Sequence, residues 1–196
     1  KRPRLALVAL EALLSNRSGA LIRIPVVKFF RYRTPWRDVM NLLITAGPTR
    51  EHLDPVRFLS NRSTGKMGFA LAAEATRLGW SATLVTGPVA LPTPDLVRRV
   101  DVVSAREMLA AVQQELSQAD VLIMCAAVAD WRPAHFSETK LKKSTMSATL
   151  TLVPNPDILE TLKPLKEGRI FVGFAAETGD PASEAQRKMV TKGLDM

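Results

Sequence analysis

The stretch from residue 41 to residue 68 constrains the fold of this chain more than any other. It opens with a short apolar run, NLLIT, which Gly47 and Pro48 end, and this is typical of a buried strand. A run of helical composition follows up to Gly79. Between them lies a loop of hydrogen-bond donors, beside a helix start whose N–H groups also attract anions. The pattern predicts half of a βαβ unit with an anion-binding loop. The donors are Arg50, Arg57, Asn61, Arg62, Ser63, Thr64 and Lys66.

The loop matches neither of the two commonest glycine motifs for phosphates. No G-x-G-x-x-G follows the strand, and Gly65-Lys66 precedes Met67 where a P-loop needs a Ser or Thr for magnesium. A dinucleotide fingerprint and a Walker motif are therefore both excluded at this position. From this segment alone, a polar connection with a helix cap is an alternative interpretation.

Strands and helices alternate from residue 41 onward. We predict strands at residues 41–47, 81–86, 97–103, 121–128 and 170–174. We predict helices at residues 68–78, from the capping box at residues 104–107, from Asn155 as N-cap with Pro156 at N1 up to Pro164, and from Asp180-Pro181. Alternation of this kind predicts an α/β fold with a Rossmann-like, doubly wound, mostly parallel sheet that binds ligands at the carboxyl ends of its strands.

Several residues near those carboxyl ends have two interpretations each. Asp130 either accepts hydrogen bonds from a sugar hydroxyl or supports a metal, or it caps a turn. The polar stretch around Lys140 is either a solvated loop or a flap that brings a lysine onto a polyphosphate. Lys188 and Lys192 are four residues apart and share a helix face, which either binds a nucleotide or faces water.

The charge of the chain does not predict a nucleic-acid or membrane partner. The formal net charge is +8 over 196 residues, but residues 1–39 hold 9 Lys and Arg against Glu11 and Asp38, so the remainder is close to neutral. No segment has the roughly 18 apolar residues that span a membrane. We interpret residues 1–39 as a basic N-terminal extension, without a sustained strand or helix period after Leu14. Met40 is the hypothesised true start.

The single cysteine, Cys125, lies in the apolar run VLIMCAAVA. We expect a buried, reduced thiol and a cytoplasmic location, with a catalytic cysteine as the alternative. His52 and His135 are the only histidines, and they give no zinc-ligand spacing.

Eight segments that occur in order give the chain a family resemblance. They are ITAGPTRE, LDPVRFLSN, STGKMG, TGPVALPTP, CAAVADWR, the lysines that follow, NPDIL and VGFAAET. Together they resemble phosphopantothenoylcysteine synthetase, the CTP-dependent phosphopantothenate–cysteine ligase of coenzyme A biosynthesis, from residue 41 to about residue 195.

The resemblance implies a reaction in two steps. The carboxylate of phosphopantothenate attacks the α-phosphate of CTP, giving an acyl-cytidylate and pyrophosphate, and the amine of L-cysteine then displaces CMP. The resemblance also implies Mg²⁺ or Mn²⁺, a homodimer and a functional association with phosphopantothenoylcysteine decarboxylase. No FMN is expected in this chain, and the metal ligands are left unassigned.

The resemblance further implies which residues form the site. The catalytic residues are Asn61, which handles the acyl-cytidylate, Arg57 of the substrate site, and Lys140, the flap lysine that closes on the triphosphate. The nucleotide-binding residues are Met124, Cys125, Ala126, Asp130, Lys140, Pro156, Asp157, Ile158, Leu159, Phe174, Lys188 and Lys192.

Two departures from the family pattern bear on activity. Residues 1–39 do not resemble the end of the decarboxylase, so decarboxylase activity is not predicted. Family members continue beyond the last matched segment, so we interpret residues 40–196 as a partial synthetase domain, truncated at its C-terminus. The alternative functions are an NAD(P)-dependent reductase and an inactive nucleotide-binding fragment. The reductase lacks an acidic residue after the second strand, where Thr86-Gly87-Pro88 stands instead.

Overall fold

The computed structural model describes residues 7–15, 21–29, 39–144, 149–174 and 181–196, the backbone alone at 7–15, 21–29 and 181–185. The chain divides into two units, Lys1–Asp38 and Val39–Met196. The first contains an antiparallel pair, β1 (Leu7–Ser15) and β2 (Leu21–Phe29). The sequence interpretation was wrong in giving this region no sustained strand after Leu14. Pro25 interrupts the pattern, but a strand with a free edge tolerates proline.

The second unit alternates strands and helices, with two small β-pairs inserted. Its elements are β3 (Asn41–Ala46), β4 (Arg50–His52), β5 (Phe58–Ser60), α1 (Lys66–Arg77), β6 (Ser81–Thr86), β7 (Val97–Asp101), α2 (Ala105–Leu116), β8 (Val121–Met124), β9 (Trp131–Pro133), β10 (Leu152–Pro154), α3 (Ile158–Leu162), a 3₁₀ turn (Lys163–Leu165), β11 (Ile170–Gly173) and α4 (Pro181–Lys192).

Five of these strands form one parallel sheet in the spatial order β11-β8-β3-β6-β7. Within this sheet the chain begins at the central strand β3 and continues outward through β6 to β7. It then returns to the other side of β3, where it forms β8 and finally β11. This is the doubly wound, Rossmann-like order that the alternation predicted, and it makes the β3–β8 boundary the switch point where such sheets bind ligands.

The sheet is covered on both faces, which explains why its strands are apolar throughout. One face packs against α2 and α3 through Met108, Val112 and Leu162, together with Phe171 of β11. The other face packs against α1 through Phe69 and small alanines.

Glycine is required where α1 meets β3. A Cβ on Gly68 would lie 2.6 Å from the Cβ of Ala46 and 2.9 Å from the carbonyl oxygen of Thr45. The first turn of α1 therefore lies directly on the end of β3, with no room for a side chain.

The capping box before α2 is confirmed. Ser104 Oγ accepts from the Glu107 N–H at 3.2 Å, and the Glu107 carboxylate accepts from the Val103 N–H at 2.9 Å. The predicted start of α3 was wrong by two residues. Asp157 is its N-cap and accepts from the Glu160 N–H at 3.1 Å, because Asn155 is used elsewhere: its Nδ2 donates to Ala129 O at 2.8 Å.

The predicted strand 121–128 ends earlier, at Met124, and Asp180 lies outside the described residues. Two antiparallel pairs, β4 with β5 and β9 with β10, were not predicted, because three-residue strands are too short to show a period. The last residues lie along β11: Asp195 N–H donates to Phe171 O at 2.8 Å, and Gly173 N–H donates to Met196 O at 2.9 Å. Within the described part of the chain, no helix is long and apolar enough to cross a membrane.

Candidate functional site

The loops after β3 and β8 stay paired beyond the ends of these strands. Ala127 N–H donates to Gly47 O at 2.9 Å, and Thr49 N–H donates to Ala127 O at 3.3 Å. Pro48 and Ala127 form a parallel bridge between these bonds. The switch point is therefore a continuous backbone surface, which we call the strand-end floor (residues 47–49 and 126–129).

Two buried threonine side chains accept hydrogen bonds from backbone N–H groups of this floor. Thr45 Oγ1 accepts from the Ala126 N–H at 3.1 Å, and Thr49 Oγ1 accepts from the Ala129 N–H at 2.9 Å. Both side chains are fully buried, where an unpaired N–H or hydroxyl would be costly. Sequence reasoning missed these two roles, although a threonine within a buried apolar strand is a signal that its hydroxyl has a partner.

Asn61 joins the floor from the loop between β5 and α1. Its Nδ2 donates to Val128 O at 3.0 Å and reaches Ala127 O at 3.4 Å. Its Oδ1 accepts no hydrogen bond within the described part of the chain. The structure thus brings the predicted Asn61 and the loop after the predicted Ala126 together, and presents an amide oxygen at the surface.

The N-terminus of α1 lies beside the same floor. Gly65 is its N-cap in a left-handed conformation, with φ of 76° and no side-chain cap, and the first turn contains no acidic residue. The position where a Gly65 Cβ would stand is 3.4 Å from the Gly47 nitrogen, so helix start and strand end are in contact. The first N–H groups of α1 are therefore well placed for an anion at the switch point.

Arg57 and the segment that carries Lys140 are joined through a buried carboxylate, Asp54. Arg57 Nε donates to Asp54 Oδ2 at 3.0 Å, and its terminal nitrogen donates to Leu141 O at 2.8 Å. The hydrogen bond from Arg57 holds the pKa of Asp54 well below its usual range, and backbone N–H donors add to this effect against the desolvation. Sequence reasoning missed Asp54, although the LDPVR segment that contains it was part of the resemblance.

The two exposed charged residues predicted here, Lys140 and Asp130, form no ion pair among the described residues and extend into solvent. Met124 is buried, and its carbonyl oxygen accepts from the Phe174 N–H at 3.2 Å. Burial raises the pKa of the Cys125 thiol to about 12, so this side chain is protonated at neutral pH.

The predicted residues at α3 and α4 are brought together by an ion pair. Lys192 Nζ lies 2.8 Å from Asp157 Oδ2. Burial raises the pKa of Asp157, but the hydrogen bonds from Lys192 and from the α3 N–H groups outweigh it and leave this pKa lowered. Pro156 precedes this pair, and Lys188 lies one turn before Lys192 on α4.

The remaining predicted residues differ in exposure. Ile158 and Leu159 are buried in the core, so a ligand at α3 would meet their backbone rather than their side chains. Phe174 is 49% exposed at the end of β11, where an aromatic ring is open to contact with a ligand. Among the residues that the structure describes, no group of three or more His, Cys, Asp or Glu side chains could hold a metal ion.

A doubly wound sheet with small residues at its switch point and a helix N-terminus beside it is an architecture common among α/β proteins that bind nucleotides or phosphates. The family model for the DNA/pantothenate metabolism flavoprotein C-terminal domain matches residues 38–196. The chain belongs to this family.

Similar proteins agree with this assignment. The chain is 54% identical over 172 residues to the Coenzyme A biosynthesis bifunctional protein CoaBC of Vibrio vulnificus (strain YJ016), covering 86% of this chain and 42% of that protein. It is 52% identical over 161 residues to CoaBC of Escherichia coli (strain K12), covering 80% and 40%. The chain thus spans about two fifths of the length of these curated relatives.

The fold is shared with a solved structure as well. The crystal structure of the C-terminal domain of CoaBC superposes with a TM-score of 0.72 at 42% sequence identity, covering 82% of this chain and 77% of that one. The doubly wound, mostly parallel sheet predicted from the sequence is therefore confirmed by both the strand order and this likeness.

Proposed function

We propose that this chain is a ligase that joins phosphopantothenate and L-cysteine with CTP, through an acyl-cytidylate, in coenzyme A biosynthesis. The observation that carries the proposal is the contact of the Asn61 amide with the carbonyl oxygens of Ala127 and Val128, since it puts an implied catalytic side chain on the floor where a nucleotide is expected. The relatives' name, Coenzyme A biosynthesis bifunctional protein, supports the pathway.

The proposed chemistry needs positioning and anion binding more than acid–base groups. A carboxylate oxygen of phosphopantothenate forms a bond to the α-phosphorus of CTP, and the bond from that phosphorus to the bridging oxygen breaks to release pyrophosphate. The cysteine nitrogen then bonds to the acyl carbon, CMP leaves, and the nitrogen loses a proton. Both steps develop negative charge, which preorganised N–H groups and cations stabilise.

The described residues supply these groups from two sides. The N–H groups at the start of α1, beside the strand-end floor, would support the phosphates, while Lys140 would neutralise charge on the triphosphate. The exposed Oδ1 of Asn61 would accept a hydrogen bond from the acyl-cytidylate or from the incoming amine. Lys192 would reach the nucleotide after exchanging its contact with Asp157.

Magnesium or manganese enters this proposal as part of the nucleotide substrate. Because the described residues form no carboxylate cage, and Mg²⁺ usually binds through one or two carboxylates and substrate phosphates, we assign no protein ligand. The nucleotide preference, CTP against ATP, is likewise a matter for measurement.

We propose a cytoplasmic homodimer, with a functional association with the decarboxylase that the bifunctional nature of the relatives supports. Large apolar side chains are exposed on the two inserted β-pairs: Phe58 on β5, Trp131 on β9 and Leu152 on β10. A second copy of the chain would cover them. Light scattering measures this directly, and we expect Trp131→Glu to shift the mass from that of a dimer to that of a monomer. If Trp131→Glu keeps the mass of a dimer, the contact between the two copies lies elsewhere on the surface.

The deciding experiment measures pyrophosphate and CMP from the purified chain with phosphopantothenate, CTP and Mg²⁺, with and without cysteine. We expect pyrophosphate release that requires both phosphopantothenate and CTP, and CMP release that additionally requires cysteine. ATP replaces CTP in a parallel series, which measures the preference of the nucleotide site.

Two other outcomes separate the alternative functions. Binding of CTP without pyrophosphate release would favour the inactive nucleotide-binding fragment. No binding of CTP, together with binding of NADPH, would favour the reductase.

A further inference from the structure

Asp54 is fully buried, yet it belongs to no hydrophobic cluster and is not among the predicted site residues. Its two carboxylate oxygens accept hydrogen bonds from different groups. Oδ1 accepts from the N–H groups of Val56 at 2.9 Å and Arg57 at 2.8 Å, which fixes the turn that leads to Arg57. Oδ2 accepts from Arg57 Nε at 3.0 Å and from the Leu141 N–H at 3.1 Å.

Asp54 and Arg57 together hold both polar groups of one residue, 84 or more positions further along the chain. The Leu141 N–H donates to Asp54, and the Leu141 carbonyl oxygen accepts from Arg57 at 2.8 Å. A third bond joins the same two segments, from the Ser137 N–H to Leu53 O at 3.0 Å. Lys140 lies directly before the residue that is held on both sides.

The guanidinium of Arg57 is shared between a carboxylate and a backbone carbonyl, which is a geometry that its planar fork suits and that an ammonium group cannot reproduce. Charge-assisted bonds at a buried carboxylate are stronger than the neutral bonds that hold most loops to a fold. The pair therefore fixes the backbone at Leu141 more firmly than exposure of the surrounding segment suggests.

We infer that Asp54 is a positioning residue, which acts with Arg57 as a clamp on the Leu141 backbone and so sets where the Lys140 ammonium stands. Its effect on the reaction, which rests on the proposed function, runs through Lys140 and not through contact with substrate. Lys140 is exposed and forms no ion pair among the described residues, so the clamp on the neighbouring backbone sets where its cationic charge lies relative to the triphosphate.

Hydrogen exchange and limited trypsin cleavage test the clamp without requiring any activity. In the unaltered chain we expect slow exchange of the Leu141 N–H and slow cleavage after Lys140. Asp54→Asn keeps the shape but replaces one accepting oxygen by an NH2 group that cannot accept, so an N–H donor loses its partner. We expect cleavage after Lys140 to become roughly tenfold faster or more, with smaller changes in cleavage elsewhere. Arg57→Lys, which keeps the charge but loses the fork, is expected to act in the same direction.

Glu115→Gln is the control, because Glu115 also accepts two hydrogen bonds from one arginine, Arg98, and lies on α2, away in sequence from the Asp54 and Leu141 segments. It should leave the cleavage rate after Lys140 unchanged. Equal acceleration in the control and in Asp54→Asn would mean general loosening and would overturn the clamp. If Asp54→Asn fails to fold, two measurements still test the clamp: the cleavage rate of Arg57→Lys and the exchange rate of the Leu141 N–H in the unaltered chain. Fast exchange of the Leu141 N–H would contradict the clamp.

A second experiment connects the clamp to the reaction. If Asp54 acts through Lys140, then Asp54→Asn combined with Lys140→Gln should release pyrophosphate as slowly as Lys140→Gln alone. Additive losses would contradict the positioning role. An inactive chain with a protected Leu141 N–H would refute the proposed function and leave the clamp intact, so the two failures are distinguishable.

Discussion

The strand-end floor and the segment around Lys140 lie at the same proposed site but are held by different kinds of bond. The floor is paired backbone to backbone and supported by two buried threonine hydroxyls. The segment around Lys140 is held by the Asp54 carboxylate and the Arg57 guanidinium at the backbone of Leu141, with one backbone bond from Ser137 beside them. Because the two regions are held by different bonds, we expect them to open locally with different free energies. Substitutions should therefore affect the two regions differently.

The largest effect is expected where a side chain touches the floor. Asn61→Asp replaces the Nδ2 donor by a carboxylate oxygen that faces the carbonyl oxygens of Val128 and Ala127, so repulsion replaces two hydrogen bonds. We expect CMP formation to fall by roughly 10²- to 10³-fold, the usual loss for a preorganised polar group. Pyrophosphate release should fall less, because the first step does not depend on handling the acyl-cytidylate.

The measurement is a parallel assay of pyrophosphate and CMP. Asn61→Ser is the companion variant, since it removes the amide without adding charge and should lose less. Normal CMP formation in Asn61→Asp would refute the role of Asn61 in the second step and leave the floor as a structural feature.

The next effect should be confined to the first step. Lys140→Gln removes an exposed cation and leaves the backbone at Leu141 in its clamp. We expect pyrophosphate release to slow by roughly 10- to 100-fold, and the midpoint temperature of thermal unfolding to stay unchanged. Lys143→Gln, three residues further along, should lose less. Equal rates in Lys140→Gln and the unaltered chain would support the solvated-loop interpretation of this segment.

The same contrast explains how far prediction from the sequence could go. The parallel strands were predictable because burial on both faces makes them apolar, and the capping box before α2 was predictable because it is local. Asn61 and Ala126 were implied by resemblance, and the structure puts Asn61 against the loop after Ala126. What brings them together is the sheet order, which no local pattern contains.

The clamp could not be predicted for a related reason. Asp54 precedes a proline and reads as an ordinary turn residue, and its distant partner is a backbone group, which carries no sequence signal. The antiparallel pair of β9 and β10 was missed because its strands are 18 or more residues apart and three residues long. Pairing over such a distance depends on tertiary structure.

A smaller effect is expected on stability at the edge of the floor. Gly68→Ser adds a side chain where a Cβ would already lie 2.6 Å from Ala46 Cβ, so α1 must move away from β3. Overpacking of this kind costs about 1–3 kcal/mol of unfolding free energy. Ala70→Ser, at an exposed position of the same helix, controls for the added hydroxyl group where no side chain is crowded. Urea denaturation followed by circular dichroism measures the stability of both variants. Equal urea midpoints for the two variants would show that α1 can move away from β3 without loss of stability.

The smallest effect should come from Cys125, which lies next to the floor and carries a half-buried thiol. Because burial raises its pKa to about 12, the thiolate is scarce at pH 8, and reaction with a disulfide reagent should be much slower in the folded chain than in urea. The rate should rise with pH as the thiol ionises. Cys125→Ala should change turnover by less than about twofold, since the hydrogen bonds of this region with Thr45 and Phe174 are made by its neighbours Met124 and Ala126. Lost turnover in a folded Cys125→Ala variant would instead mean that the thiol itself takes part in the reaction, and the floor would then be more than a backbone surface.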